Sequence, residues 1–258
     1  MQRLTRLAPD GFYAATDPEG VDRILYSDPF EEPIGRWRYG RRIDLDTAVL
    51  LPPVVPGKIV GIGRNYADHA KELSNPVPSE PVIFLKSPSS VIGPGSPIVL
   101  PPESERVELE GEIAVVVRKT LRRADRREAS SAILGVTAAC DVTARDLQRR
   151  DPTFARAKSF DTFCPLGPAI AVEPDLETLS VCTRLSGEER QRGHCSDMLF
   201  DVLELLTYVS AMMTLEPGDV VLTGTPAGVS ALSEGDVVEV EVPGAGVLRN
   251  PVEAWRRG

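Results

Sequence analysis

A β-rich α+β fold follows from three features of the 258-residue sequence. Short apolar or alternating runs outnumber helical ones, 23 prolines and 21 glycines interrupt the chain throughout, and only residues 198–213 hold a helical period for long. A doubly wound nucleotide-binding fold is disfavoured. Gly61 and Gly63 offer two glycines of its phosphate loop, but Tyr66 stands where the third belongs.

The elements can be justified in chain order. Residues 3–7 and 12–15 read as strands about a turn at Asp10–Gly11, with further short strands at 36–39 and 48–51. Pro52, Pro53 and Pro56 then break regular structure, because proline lacks the backbone donor and restricts its neighbour. The break divides the chain into a small unit, residues 1–55, and a larger one, residues 56–258.

Residues 58–62 form a short apolar run expected to be a buried strand, and residues 66–73 a short helix. Pro76, Pro78 and Pro81 make the next segment a surface loop, which would let the 66–73 helix move as a lid, before a strand at 82–86. Residues 110–118 alternate and then become continuously apolar, as in a strand entering a core. A helix is expected over 124–134. The long helix over 198–213, with Leu199, Val202, Leu203, Leu206 and Val209 at three- and four-residue spacing, stops at Glu216-Pro217-Gly218-Asp219. A strand at 220–223 and a hairpin of 237–242 with 247–248 complete the chain.

Composition excludes several function classes. A formal net charge of −9 argues against nucleic acid, which needs a basic face. The 29 basic residues include only five lysines, and His69 and His194 are the only histidines, so a multi-histidine zinc site cannot be built. Cys140, Cys164, Cys182 and Cys195 lack CxxC spacing and read as reduced thiols. No apolar run is long enough for a membrane span, and the Met1 end lacks a signal-peptide core, so a cytoplasmic globular protein is expected.

The chemistry-bearing residues are few. Glu110 and Glu112 stand two apart on a predicted strand, hence on one face, and Asp141 follows the largely apolar run 133–140. Three oxygen donors without His or Cys describe a site for a hard cation, Mg²⁺ or Mn²⁺, although an isolated ExE more often lines a solvated strand. If Asp141 caps a helix, Arg145 and Gln148 share one of its faces, suited to a carboxylate or simply to water. His69 and Glu72, three apart, could form a carboxylate-oriented general base or an ordinary surface pair. Lys158 and Lys86 sit beside apolar residues, and lysine, unlike arginine, can give up a proton when desolvated, although either could be an exposed lysine at an element's end. Thr225, in the turn Thr223-Gly224-Thr225-Pro226, could offer a hydroxyl to an anion or belong simply to a turn. His194 lies in a polar stretch and reads as surface.

Taken together, Gly63-Arg64-Asn65-Tyr66-Ala67-Asp68-His69, Phe84-Leu85-Lys86, Glu110-Gly111-Glu112-Ile113-Ala114-Val115-Val116, Asp141-Val142-Thr143-Ala144-Arg145-Asp146-Leu147-Gln148, Ala157-Lys158-Ser159-Phe160-Asp161 and Gly218-Asp219-Val220-Val221-Leu222-Thr223-Gly224-Thr225-Pro226 resemble the fumarylacetoacetate hydrolase superfamily. The first 55 residues resemble the small domain in front of many bacterial members. The resemblance implies a mixed β-sandwich roll, a homodimer, and Mg²⁺ or Mn²⁺ held at Glu110, Glu112 and Asp141. It implies substrate contacts at Arg145, Gln148 and Thr225, with Lys86 beside them, and catalytic roles at His69, Glu72 and Lys158. Leu109, His194-Cys195 and Ser230 depart from the family's usual residues, which bears on pocket shape.

The implied substrates are 2-oxo acids and their enols, handled through a stabilised enolate. An intact His69/Glu72 pair favours hydrolysis of an acylpyruvate. Isomerisation of 2-hydroxyhepta-2,4-diene-1,7-dioate and decarboxylation of oxaloacetate or 5-oxopent-3-ene-1,2,5-tricarboxylate share the same enolate. A non-catalytic, metal-stabilised interaction protein would not need His69, Glu72 and Lys158 together.

Overall fold

The computed structural model describes residues 2–72 and 76–257. The N-terminal strands are β1 (Arg3–Leu7), β2 (Phe12–Thr16), β3 (Asp22–Leu25), β4 (Tyr39–Arg42) and β5 (Leu50–Leu51). Next come β6 (Ile59–Gly63), helix α1 (Ala67–Glu72), β7 (Val82–Lys86), β8 (Val91–Ile92), β9 (Ile98–Leu100), β10 (Val107–Leu109) and β11 (Gly111–Val117). The middle of the chain forms α2 (Arg126–Ser131), β12 (Ile133–Cys140), β13 (Thr143–Ala144), α3 (Arg145–Arg150), α4 (Ala155–Lys158) and β14 (Cys164–Val172). The remainder is β15 (Ser180–Leu185), β16 (Glu188–His194), α5 (Val202–Met212), β17 (Val220–Leu222), β18 (Ser230–Ala231), β19 (Val237–Val242) and β20 (Gly246–Ala254).

Strands dominate and the helices are short, so the chain has the β-rich α+β class expected of it. A twelve-stranded sheet runs β4-β3-β2-β1-β14-β12-β11-β17-β6-β7, with β5 beside β1 and β8 beside β14. A five-stranded sheet, β16-β15-β19-β20-β9, packs against its centre, and β13-β10-β18 form a small third sheet. The first five strands are continuous with the large sheet through β1, which pairs antiparallel with β14.

The centre of the large sheet is buried on both faces, which explains why β11 reads as an unbroken apolar run. Its Ile113, Val115 and Val117 join the core shared with Val181, Val238, Val240 and Leu248 of the five-stranded sheet. Its Ala114 and Val116 point the other way, into a second core with Leu4, Trp37, Val54 and Ile170. Alternation along the strand still decides which core each residue joins.

Several boundaries differ from expectation. The helix expected over 124–134 is only α2, because Asp125 caps it in a capping box with Glu128, and residues from Ile133 onward pair with β11. The strand expected at 36–39 is a 3-10 turn, Ile34–Arg36, leading into β4. The long helix begins only at Val202, after the Asp201 side chain accepts from Glu204 N–H. The end of the expected lid helix and the start of the loop after it, residues 73–75, lie outside the described residues. All four cysteines are free, and burial pushes the Cys140 and Cys164 thiols up to about 12. Among the described residues no helix is long and apolar enough to cross a membrane.

Candidate active site

Strand register brings the acidic residues together. Gly111 of β11 pairs with Cys140 of β12, so the residues just outside the pair, Glu110 and Asp141, emerge side by side. Their backbones are joined by Asp141 N–H donating to the Glu110 carbonyl at 2.7 Å. Glu112, one residue into β11, adds the third carboxylate. One oxygen from each of Glu110, Glu112 and Asp141 lies within 4.8 Å of the others, and all three residues are buried.

Burying a carboxylate costs several kcal/mol unless charge or hydrogen bonds answer it. Glu110 accepts from Arg145 Nη2 through one oxygen and from Lys158 Nζ at 2.7 Å through the other. Asp141 accepts from Lys86 Nζ at 2.7 Å and from Lys158 Nζ at 2.5 Å. Glu112 has a single donor among the described residues, the backbone N–H of Gly224 at 2.6 Å. The asymmetry fixes the protonation pattern. Burial alone would raise Glu110, but Lys158 and then Arg145 outweigh it and hold that carboxyl well below the ordinary range. Glu112 goes the other way, pushed well above the usual value by burial and by the neighbouring charge of Asp141. Burial would lower Lys158, but Asp141 and Glu110 raise it instead, so its ammonium stays charged between them.

The opposite wall comes from two short helices. Arg145 opens α3 with every nitrogen directed: Nε to Glu108 at 2.6 Å, Nη1 to the Gln148 amide oxygen, and Nη2 to Glu110. Asp141 does not cap this helix. It follows directly after β12, and Ala144 holds the cap position, yet Arg145 and Gln148 still share a face as their spacing requires. Lys158 ends α4, with Nζ 4.9 Å from the Phe84 ring centre. That ring lies across Gly61, where a Cβ would come within 2.2 Å of it. Only glycine leaves room for Phe84 there.

The third wall joins distant parts of the chain through the parallel pair β6–β17. After β17, Thr225 Oγ1 donates to the Gly111 carbonyl at 2.8 Å and accepts from Gln191 Nε2 at 2.7 Å. After β6, Asn65 donates from Nδ2 to the Thr223 carbonyl at 2.8 Å and accepts the Phe200 N–H at 2.9 Å. On α1, His69 Nδ1 lies 3.3 Å from Glu72 Oε2, and the Glu72 carboxylate also accepts the Gly228 N–H at 3.1 Å. His69 is 5% exposed, hence a buried wall residue rather than a surface histidine. His194 is half-buried, its Nδ1 accepting the Ser196 N–H.

Nine of the ten residues singled out from the sequence line one cavity of about 380 Å³: His69, Glu72, Glu110, Glu112, Asp141, Arg145, Gln148, Lys158 and Thr225. Lys86 does not. It lies behind Asp141, its side chain fully buried, and binds Asp141 and the Lys158 carbonyl rather than facing the opening. Sequence reasoning passed over Glu108, Gln191 and Asn65, each of them buried. Glu108 extends the alternation of Glu110 and Glu112 by one step, which was a usable signal. The donor set suits a hard divalent cation: three buried carboxylates, no soft ligand, and Glu112 with only one donor.

Residues 58–253 match the family described as fumarylacetoacetate (FAA) hydrolase C-terminal. The chain is 42% identical over 219 residues to the Bos taurus mitochondrial protein named oxaloacetate tautomerase FAHD2A, covering 80% of this chain and 70% of the bovine one. The structure named 2-hydroxyhepta-2,4-diene-1,7-dioate isomerase, from Mycobacterium marinum, superposes with a TM-score of 0.89 at 38% identity and full coverage of both chains. One named 5-carboxymethyl-2-hydroxymuconate delta-isomerase, from Mycobacterium smegmatis, gives 0.87 at 41% identity, over 98% of this chain and 100% of that one.

Proposed function

The chain belongs to the fumarylacetoacetate hydrolase family, and from that premise we propose a divalent-cation-dependent enzyme that transfers protons on 2-oxo acids and their enols. The observation that carries this reading is the convergence of Glu110, Glu112 and Asp141 at a cavity that His69 and Glu72 also line. Bound by those three carboxylates, Mg²⁺ or Mn²⁺ would supply Lewis-acid stabilisation for negative charge developing on the 2-oxo oxygen.

The protein's own residues divide the remaining work. Arg145, fixed by Glu108, Gln148 and Glu110, is an oriented donor at the wall for a substrate carboxylate. With its Nδ1 on Glu72, His69 has Nε2 left for the substrate, where it would take the proton next to the 2-oxo group and return it elsewhere. Lys158 stays protonated and would hold positive charge beside the enolate oxygen. Thr225, tied to Gly111 and Gln191, would set the floor against which the substrate lies.

The names of the bovine tautomerase and the two mycobacterial isomerases favour proton transfer over bond cleavage. Hydrolysis of an acylpyruvate is the second reading, favoured by the His69–Glu72 pair, which suits water as well as a carbon acid. Decarboxylation uses the same enolate but needs no base, so it leaves that pair without a role. The reading carries with it a cytoplasmic homodimer, in keeping with the family resemblance and the free thiols.

The test is a single series on protein loaded with Mg²⁺ or Mn²⁺. Enol oxaloacetate and the hydroxydienoate are followed by ultraviolet absorbance, and acetylpyruvate by pyruvate release. Faster decay of an enol without pyruvate release supports proton transfer. Stoichiometric pyruvate from acetylpyruvate would move the assignment to hydrolysis. Inactivity on all three, with bound cation verified, would overturn the enzyme reading.

A further inference from the structure

We propose that Gln191 is a positioning residue that sets specificity. It fixes the direction of the Thr225 hydroxyl, so that Thr225 can only accept a hydrogen bond from the substrate and tells a substrate hydroxyl from an oxo or carboxylate oxygen. The inference rests on the proposed 2-oxo-acid reading and states what one wall of that cavity does within it. Thr225 lines the cavity and Gln191 does not; Gln191 sits on β16, 1% exposed, and acts through Thr225.

Two backbone groups dictate which way the Gln191 amide faces. The Gly111 N–H can only donate, and it gives to Gln191 Oε1 at 2.8 Å. The Pro226 carbonyl can only accept, and it takes from Gln191 Nε2 at 2.7 Å. Turning the amide over would set N–H against N–H and oxygen against oxygen. The second Nε2 hydrogen therefore goes to Thr225 Oγ1 at 2.7 Å, and the Thr225 proton goes on to the Gly111 carbonyl at 2.8 Å. The three bonds close a ring that leaves Gly111 at its N–H and returns to it at its carbonyl.

A hydroxyl has one proton and two lone pairs. In Thr225 the proton and one lone pair are committed, so the side chain has a single lone pair left for the substrate. An oxo or carboxylate oxygen would meet it lone pair to lone pair, whereas the hydroxyl of an enol donates to it. The ring is also held in place. Thr225 is 2% exposed, so water does not compete for its partners. A Cβ on Gly111 would come within 1.8 Å of Thr183 Oγ1, so the strand carrying Glu112 is pressed against β15 at the point where the ring closes.

The experiment is calorimetric binding to the full-length, Mn²⁺-loaded protein, which needs no turnover. The probes are pyruvate and the tighter-binding enantiomer of lactate, which differ at C2 by an oxo oxygen against a hydroxyl. A cation has its own preference between them, so the readout is how the ratio of lactate to pyruvate affinity changes between proteins. Thr225→Val keeps the shape and removes the lone pair, and should lower the ratio about fivefold, the scale of one hydrogen bond. Thr225→Ser should keep the wild-type ratio. Gln191→Met leaves Thr225 intact but frees its hydroxyl to turn, and should lower the ratio in the same direction. Each ratio comes from one preparation, so a partly unfolded variant changes the number of sites and not the ratio. Equal weakening of both acids, an unchanged ratio in Thr225→Val or Gln191→Met, or a fall in Thr225→Ser as large as in Thr225→Val overturns the proposal. Failure of both acids to bind the wild type while Mn²⁺ does overturns the 2-oxo-acid reading beneath it, and the proposal with it.

Discussion

The Lys158 ammonium lies 2.7 Å from Glu110 Oε2 while also binding Asp141 Oδ2, so one lysine joins two of the three carboxylates that would ligate a cation. The lysine and a divalent cation therefore answer the same negative charge. In the cation-free protein the lysine does so alone with Arg145 and Lys86.

Lys158→Met should accordingly destabilise the cation-free protein by about 3–5 kcal/mol, the cost of leaving buried charge without its partner. Mn²⁺ would then stabilise the variant more than the wild type, because it restores more of the missing charge. Thermal midpoints with EDTA and with Mn²⁺ measure both effects. Equal Mn²⁺ shifts in the two proteins would show that lysine and cation do not share the site.

Glu112 gives a pH dependence with a definite sign. Its folded-state value is raised, so in the cation-free protein it keeps a proton that an unfolded glutamate has lost. The folded state then binds more protons than the unfolded state, and this group's contribution makes stability fall as pH rises above the ordinary glutamate range. Urea midpoints in EDTA should show that fall in the wild type relative to Glu112→Gln, which cannot ionise. Cation binding should release a proton and tighten as pH rises, which calorimetry in buffers of different ionisation enthalpy detects. Proton-neutral binding would contradict the assignment.

Glu108 positions Arg145 and is itself 2% exposed. Glu108→Gln removes the charge opposite Arg145 Nε and should cost about 2–3 kcal/mol, the scale of a hydrogen bond to a charged group. Urea denaturation reads the loss. The same variant should raise KM more than it lowers kcat, because the misplaced group binds substrate rather than transferring its proton.

Asn65→Ala tests the joint between the two ends of the site. It leaves the Thr223 and Phe200 carbonyls and the Phe200 N–H without their partner, a loss of about 2–4 kcal/mol. Hydrogen exchange should accelerate at residues 63–66 and 223–225 before it does in β11. Uniform acceleration would mean that Asn65 serves the whole fold rather than this corner.

The site was more legible in the sequence than the fold around it, and for a physical reason. Spacing of two residues on a strand or three on a helix puts Glu110 with Glu112, Arg145 with Gln148 and His69 with Glu72 on common faces, and all six line the cavity. Lys86 was misplaced because the partner that draws it inward, Asp141, lies 55 residues away. No strand was expected where β14 runs: its Pro165 and Pro168 break the pattern of a central strand, although every residue of it but Pro168 is buried. β16 reads as a polar loop because one face is wet, and only Gln191 and Gly193 turn inward. Gln191 binds Thr225, 34 residues off, beyond any local pattern, whereas Glu108 was marked by its alternation with Glu110 although its partner Arg145 lies 37 residues away.

The parallel pairing of β6 with β17 has a consequence for synthesis on the ribosome. Glu112 accepts a hydrogen bond from Gly224, 112 residues later, and Asn65 is tied to Thr223 across 158. A nascent chain therefore carries its acidic ligands and its histidine long before the strand that braces both has emerged. The pocket closes late, and until then those carboxylates remain in water, each free to ionise as an ordinary side chain.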